Sequence, residues 1–460
     1  MPRLPFFYRS KLETVINMAN VNKYKGTIGI LTGGGDVPGL NPAIRGVTMR
    51  AIRNGYRVVG LRRGWAGITE LDPAWINSQD PEDIEKRQDC YIELNEVIVS
   101  RMAREGGTFL HTSRTHPSSM NAGDIPNHLR DAYTDQIKAE KARRDDLHNA
   151  LQSGDAERIK AAEAVKPVTV DLTRHVIANL EALDIDTLIP IGGDDTLSYG
   201  HRLYKENVNV VAIPKTMDND VPGTDYCIGF STCVSRTIRL ANDLRTSSGS
   251  HERIAVMEVL GRNAGFTAML PTMAGAATRC LIPEYPFDIE HICRLALEDR
   301  KKNPSNYASI LISEGAMIKG GSTIESGEAD AFGHRRLGGI GAEVVRQMDA
   351  MIPAMNNGRK ISFIEQKLGY TTRCGNPDAI DSIVPMAYGN LAMELILNKQ
   401  FGRLVVLRDG RYSSMDLSVL VSGEKAKRVD IDTFYVKERL RPNYERIQDM
   451  PLFIMTSGVF

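Results

Sequence analysis

Short apolar runs alternate with amphipathic stretches along most of this chain. Residues 27–31, 58–61, 187–191 and 210–213 are continuous apolar runs of strand length, and 41–54, 170–183 and 196–207 carry helical periodicity between them. Strands without polar alternation, separated by amphipathic helices, predict a parallel sheet covered on both faces. The rhythm then repeats, with apolar runs at 254–259, 281–282 and 308–312 and helical patterns from Asn263, over 289–302 and over 341–352. The expectation is α/β: two doubly wound units with a cleft between their sheets.

One segment breaks the rhythm. Residues 136–164 are rich in Lys, Arg, Glu, Asp and Ala with few apolar positions, which predicts one or two exposed helices in an insertion over 131–166. At 460 residues the chain exceeds a single ordinary core, in keeping with two domains. Its 57 basic and 57 acidic side chains cancel, so charge gives no reason to expect nucleic acid or a membrane as partner. The six cysteines form no CxxC pair and read as reduced thiols of a cytoplasmic protein. The first ten residues match neither a signal peptide nor a membrane span, and an N-terminal arm over 1–25 is expected to pack on a neighbouring subunit.

Three loops at expected strand ends carry unusual chemistry. Thr32-Gly33-Gly34-Gly35-Asp36-Val37-Pro38-Gly39-Leu40-Asn41 sets three glycines between a strand and a helix. Its backbone N–H groups could cradle an anion near a positive helix end, although a tight turn alone would also use them. Gly192-Gly193-Asp194-Asp195-Thr196 adds two carboxylates fit for Mg²⁺, against the plainer reading of a solvated turn. Pro214-Lys215-Thr216-Met217-Asp218-Asn219-Asp220 supplies a cation, a hydroxyl and a candidate base, or else an Asx-type turn. The scattered histidines His111, His116 and His251 lack zinc-ligand spacing.

These motifs, in this order, resemble the phosphofructokinase family. So do Gly223-Thr224-Asp225-Tyr226-Cys227-Ile228-Gly229-Phe230, Ser250-His251-Glu252-Arg253 and Glu258-Val259-Leu260-Gly261-Arg262. The resemblance covers about Gly26 to Leu395 and implies the phosphofructokinase-like fold of two interleaved α/β domains. A donor-binding domain is expected over 26–230 and 377–410, and a sugar-phosphate domain with a C-terminal extension over 231–376 and 411–460. The implied reaction is phosphoryl transfer to the 1-hydroxyl of fructose 6-phosphate. Asp218 matches the base that activates this hydroxyl, Asp194 the carboxylate serving Mg²⁺, and Gly34, Gly193 and Thr196 belong to the donor segments. Arg114 matches an arginine bridging donor and acceptor phosphates. Thr216 and Met217 lie in the substrate segment, Leu260, Gly261 and Arg262 match an element steadying the sugar and the transition state, and Glu314 matches a carboxylate that binds sugar hydroxyls. Tyr370 and Arg373 would hold the 6-phosphate, the arginine as bidentate partner. Arg253 matches an arginine reaching across a subunit interface, which implies at least a dimer and leaves dimer against tetramer open. A second such arginine is replaced by Ile364, with Lys367 the nearest substitute. Arg45 and Arg50 lie where bacterial ATP enzymes bind effectors, or on a solvated helix face.

Two positions bear on the donor. ATP-dependent members have glycine after the metal-binding aspartate, where this chain has Asp195. Two unit charges about 4 Å apart repel by roughly 4 kcal/mol at an effective dielectric near 20, so a carboxylate there opposes a nucleotide's α-phosphate. Lys215 replaces a glycine of the bacterial ATP enzymes and would contact the transferring phosphate, although some ATP-dependent relatives share it. The sequence is thus similar to the pyrophosphate-dependent branch, whose reaction is reversible. The alternatives are an ATP-dependent member and a non-catalytic regulatory homologue.

Overall fold

The computed structural model describes residues 24–326, 336–422 and 426–449. All but the last two residues of the expected N-terminal arm, and the end of the C-terminal extension, lie outside these described residues.

In chain order, β1 (Thr27–Thr32), α1 (Leu40–Arg53) and β2 (Arg57–Leu61) precede the short strand β3 (Tyr91–Glu93). The insertion forms α2 (Thr134–Ser153) and α3 (Ala156–Ala164), followed by α4 (Thr173–Ala182), β4 (Thr187–Gly192), α5 (Asp194–Lys205), β5 (Asn209–Pro214) and α6 (Phe230–Ser250). A second series runs β6 (Ile254–Val259), α7 (Phe266–Met273), β7 (Arg279–Leu281), α8 (Ile289–Lys302), β8 (Ala308–Ser313), α9 (Ile340–Met355) and β9 (Phe363–Lys367). The chain then returns through α10 (Ala379–Leu397) to β10 (Arg403–Arg408) and β11 (Arg411–Asp416).

Every apolar run expected as a strand is one. The larger sheet has the order β11-β10-β5-β4-β1-β2-β3, and the smaller one β9-β6-β8-β7. Pairing is parallel throughout the smaller sheet and from β10 to β2 in the larger, which carries an antiparallel strand at each edge. The helix expected over 170–183 begins at Thr173, because Thr169–Val170 pairs with Met120–Asn121. The domain boundary expected at 410 falls inside a hairpin. Asp409 and Gly410 both have positive φ (50° and 73°), as a tight two-residue turn requires, and the turn returns β11 to the larger sheet.

Helix α10 is long and apolar enough, by length and composition, to cross a membrane, yet half of it is buried in this fold. It packs on α1 at two glycines: a Cβ on Gly46 would come within 2.8 Å of Met386 O, and one on Gly389 within 2.7 Å of Val47 N. Arg50 of α1 donates to Asn390 O (2.7 Å) of α10, so the arginine expected at an effector site or on a solvated face is a link between the two helices.

The insertion forms the two expected helices, but they are anchored by a buried carboxylate. Glu140, with no exposed surface, accepts hydrogen bonds from Arg143, Arg144, Asn121 and the Val168 N–H. Burial alone would raise its pKa; these donors outweigh burial and hold it at about 2, below the ordinary 4.5. Glu140→Ala should therefore lower stability in urea unfolding by about 2–4 kcal/mol at neutral pH. Because the folded-state pKa is depressed, the advantage of the wild type should be present above pH 4.5 and fade as the pH falls toward about 2.

Candidate active site

The site lies at the carboxyl ends of β1, β4 and β5, adjacent strands at the centre of the larger sheet. With β2 on one side of β1 and β4 on the other, the connections diverge and leave a crevice between the loops. Gly33 N–H donates to Ile191 O (3.0 Å) and Lys215 N–H to Gly192 O (2.8 Å), which joins the three loops at their roots. Thr196, 2% exposed, is wedged behind them: a Cβ on Gly33 would come within 2.5 Å of its Oγ1, and one on Gly192 within 2.4 Å of its Cβ. It spaces the loops from behind, where the sequence led us to expect a direct donor contact. Gly34 is similarly occupied. Its N–H donates to Ser113 O (2.9 Å) and its carbonyl accepts from Thr112 Oγ1 (2.6 Å), so it offers a donor room and no free N–H.

Lys215 occupies the floor of the crevice. It is 3% exposed, and its ammonium donates to Gly35 O at 2.7 Å. Burial pushes its pKa down to about 8, with Arg373 and Arg114 adding to the shift and Asp36 opposing it. Arg373 pairs with Asp36 Oδ1 (2.9 Å) and stacks over the exposed ring of Tyr370 (4.6 Å). A side chain expected on the sugar phosphate thus also reaches the donor loop.

Asp218 Oδ2 accepts from Arg262 N–H at 3.1 Å, and Asp218 N–H donates to Thr216 Oγ1 at 3.2 Å. Met217, between them in sequence, is buried. Burial raises the Asp218 pKa, against the opposing pull of Arg262, Lys215 and Arg373. Burial and then the Asp218 charge push Glu314 up to about 7. Gly261 holds the loop after β6 at φ 123°, a left-handed conformation in which a Cβ would also meet Ala264 O at 2.7 Å. Thr267 Oγ1 donates to the carbonyl of Leu260 beside it.

Asp194 and Asp195 form the first turn of α5, where the helix dipole favours negative charge. Asp194 is exposed and Asp195 half-buried. Burial, and then the charges of Asp218 and Asp194, raise the Asp220 pKa well above its ordinary value. Asp194, exposed at the start of α5, offers carboxylate oxygens of the kind a hard divalent cation takes. Among the described residues no three His, Cys, Asp or Glu side chains form a ready metal cage. Mg²⁺ suits such a place, because it takes one or two carboxylates and completes its shell with phosphate oxygens and water. Asp195 also raises the pKa of His116, against the larger lowering effect of burial.

One expected residue stands apart. Arg253 precedes β6 at the end opposite Leu260, so a single chain does not bring it to Arg262. Lys367, three residues beyond Ile364, pairs with the buried Glu258 Oε1 (3.0 Å) and is close enough to Glu314 to lower its pKa, against the larger raising effects of burial and Asp218. Arg114 is exposed, close enough to Lys215 to lower its pKa.

Residues 27–396 match the family model described as phosphofructokinase. The chain belongs to the phosphofructokinase family. It is 32% identical over 383 residues to the pyrophosphate–fructose 6-phosphate 1-phosphotransferase of Amycolatopsis methanolica, spanning 83% of this chain and 90% of that one. It is 33% identical over 386 residues to the ATP-dependent 6-phosphofructokinase of Corynebacterium efficiens, spanning 84% and 90%. The crystal structure of pyrophosphate-dependent phosphofructokinase from Nitrosospira multiformis superposes with a TM-score of 0.63 at 18% identity, over 94% of this chain and 92% of that one, a likeness of fold. Relatives named for either donor are about equally similar, so family membership leaves the donor open.

Within this phosphofructokinase, sequence reasoning passed over Gly35, Asp36 and Glu258, although all three lie inside or beside quoted motifs. Glu258 Oε2 accepts the N–H groups of Gly339 (2.8 Å) and Gly341 (3.0 Å) at the start of α9. Because Asp36 raises the Lys215 pKa, Asp36→Asn should lower it further. The alkaline limb of kcat/KM for the donor, expected near pH 8 in the wild type, should then move to lower pH. A pH–rate profile with the limb in place after the substitution would remove Lys215 as its source.

Proposed function

We propose that this phosphofructokinase transfers a phosphoryl group from pyrophosphate to the 1-hydroxyl of fructose 6-phosphate, giving fructose 1,6-bisphosphate and phosphate. Asp218 takes the hydroxyl proton. The resulting oxygen attacks the distal phosphorus, the bond from that phosphorus to the bridging oxygen breaks, and phosphate leaves. A carboxylate with a raised pKa accepts that proton better than an ordinary aspartate would. Lys215 and Arg262 offset charge on the transferring group, and Arg114 spans donor and acceptor phosphates. Glu314 takes the sugar hydroxyls, and Thr216, Met217, Leu260 and Gly261 shape the sugar side, with Tyr370 and Arg373 at the 6-phosphate. Asp194 would hold Mg²⁺, which supplies positive charge to the phosphate oxygens when bound.

The observation that carries the choice of pyrophosphate is Asp195, half-buried on the first turn of α5 directly after Asp194 and Gly193. Its volume and charge oppose a nucleotide's α-phosphate and leave room for a short donor. The similarity to the Corynebacterium enzyme keeps ATP as the second reading. On either reading the enzyme is cytoplasmic, in keeping with six unpaired cysteines. Arg253 then serves a neighbouring subunit of a homodimer or homotetramer.

Initial rates with fructose 6-phosphate and Mg²⁺ test the donor. Pyrophosphate should support turnover and ATP should not, and Asp195→Gly should raise the ATP rate by about tenfold or more. Turnover with ATP alone overturns the reading. Asp218→Asn should reduce kcat by at least about a thousandfold with sugar phosphate binding retained, and unchanged turnover rules out Asp218 as the base.

A further inference from the structure

A buried cation from the far end of the chain contacts the loop that carries Asp218. Lys427 is 9% exposed, and its backbone N–H donates to Asp220 O at 2.9 Å. Its ammonium donates to Thr224 O (3.0 Å) and Asp225 O (3.1 Å) and lies 5.7 Å from the centre of the Phe266 ring. Asp225 O also accepts from Asn219 Nδ2 (3.1 Å), and Asn219 Oδ1 accepts from Cys227 N–H (2.8 Å). Asn219 itself stands at φ 54°, so the turn directly after Asp218 is strained and depends on these contacts.

The same segment grips the other wall of the cleft. Val429 N–H donates to Glu284 Oε1 (2.8 Å), and that oxygen also accepts Gly265 N–H (3.0 Å). Gly265 lies three residues beyond Arg262, whose N–H donates to Asp218. Residues 427–429 therefore join the loop after β5, in the larger sheet, to the loop after β6, in the smaller one, through Glu284, which follows β7.

We propose that Lys427 is a positioning residue for phosphoryl transfer, holding the Asp218 turn in register with Arg262. It touches no reacting atom in this account and acts through Asn219, Asp220 and the two carbonyls. A hydrophobic residue of similar length would leave Thr224 O unpaired in a buried site and Asp225 O with Asn219 Nδ2 as its remaining donor, which loosens the strained turn. The inference rests on the assignment of Asp218 as base.

Lys427→Met tests it, with Lys427→Arg as the conservative variant and Asp218→Asn assayed alongside. For the folded enzyme, Lys427→Met is expected to lower kcat by about tenfold or more while KM for fructose 6-phosphate stays within about threefold, since misplacing a catalytic group costs rate more than binding. Lys427→Arg should recover most of that rate. Hydrogen exchange of the amides over 218–221 should speed up in Lys427→Met while the strand over 187–192 keeps its protection. A purely structural role would instead lower protection throughout and leave kcat per folded molecule unchanged, which overturns the proposal. Should Lys427→Met fail to fold, Lys427→Gln, whose shorter side chain draws its N–H donors back from the two carbonyls, is compared with Lys427→Arg, and equal kcat and equal loop exchange in the two overturn it. If Asp218→Asn retains turnover, the assigned base is wrong; if it is inactive and Lys427→Met has wild-type kcat, only the positioning role fails.

Discussion

The ammonium of Lys215, buried and hydrogen-bonded to Gly35 O, is the interaction on which the donor side of this cleft depends. A lysine taken out of water is costly unless its charge is met, and here burial has already moved its pKa to about 8. The surroundings meet that charge incompletely. One carbonyl accepts from it and Asp36 is close enough to favour it, while Arg373 and Arg114 oppose it. Three cations close together, Lys215, Arg373 and Arg114, with only Asp36 set against them at Lys215, favour an incoming anion.

The geometry around this lysine follows from the sheet. Adjacent parallel strands deliver the loops after β1, β4 and β5 to one edge, and their roots are joined by Gly33–Ile191 and Lys215–Gly192 hydrogen bonds. Thr196 fixes the spacing of two of the loops from behind, which requires glycine at 33 and 192. The acceptor side is attached across the cleft by Arg262 N–H on Asp218 and by the Asp36–Arg373 ion pair. The loops after β5 and β1 are therefore tied to the segments after β6 and β9 within the chain itself.

Much of this was legible in the sequence, and what was not shares a physical cause. Strands such as 254–259 and helices such as 289–302 were readable because their apolar periodicity is local. The three site loops were readable because glycine and carboxylate clusters at strand ends have few other uses. Contacts between residues far apart left no local signal: Asp36 with Arg373, 337 residues apart, Lys427 with Thr224, 203 apart, and Lys367 with Glu258. Thr196 resembled a ligand by position, and only packing shows that it faces the glycines. Glu140 looked like one more charge on a solvated helix, since the pattern of α2 does not reveal which of its carboxylates is buried.

The central claim is that Lys215 is the cation that receives the phosphoryl donor. Calorimetric titration of Lys215→Met with pyrophosphate in the presence of Mg²⁺ tests it most directly. The account predicts that Kd for pyrophosphate rises by about a hundredfold while that for fructose 6-phosphate changes by less than about threefold. Pyrophosphate binding as tight as in the wild type would contradict it.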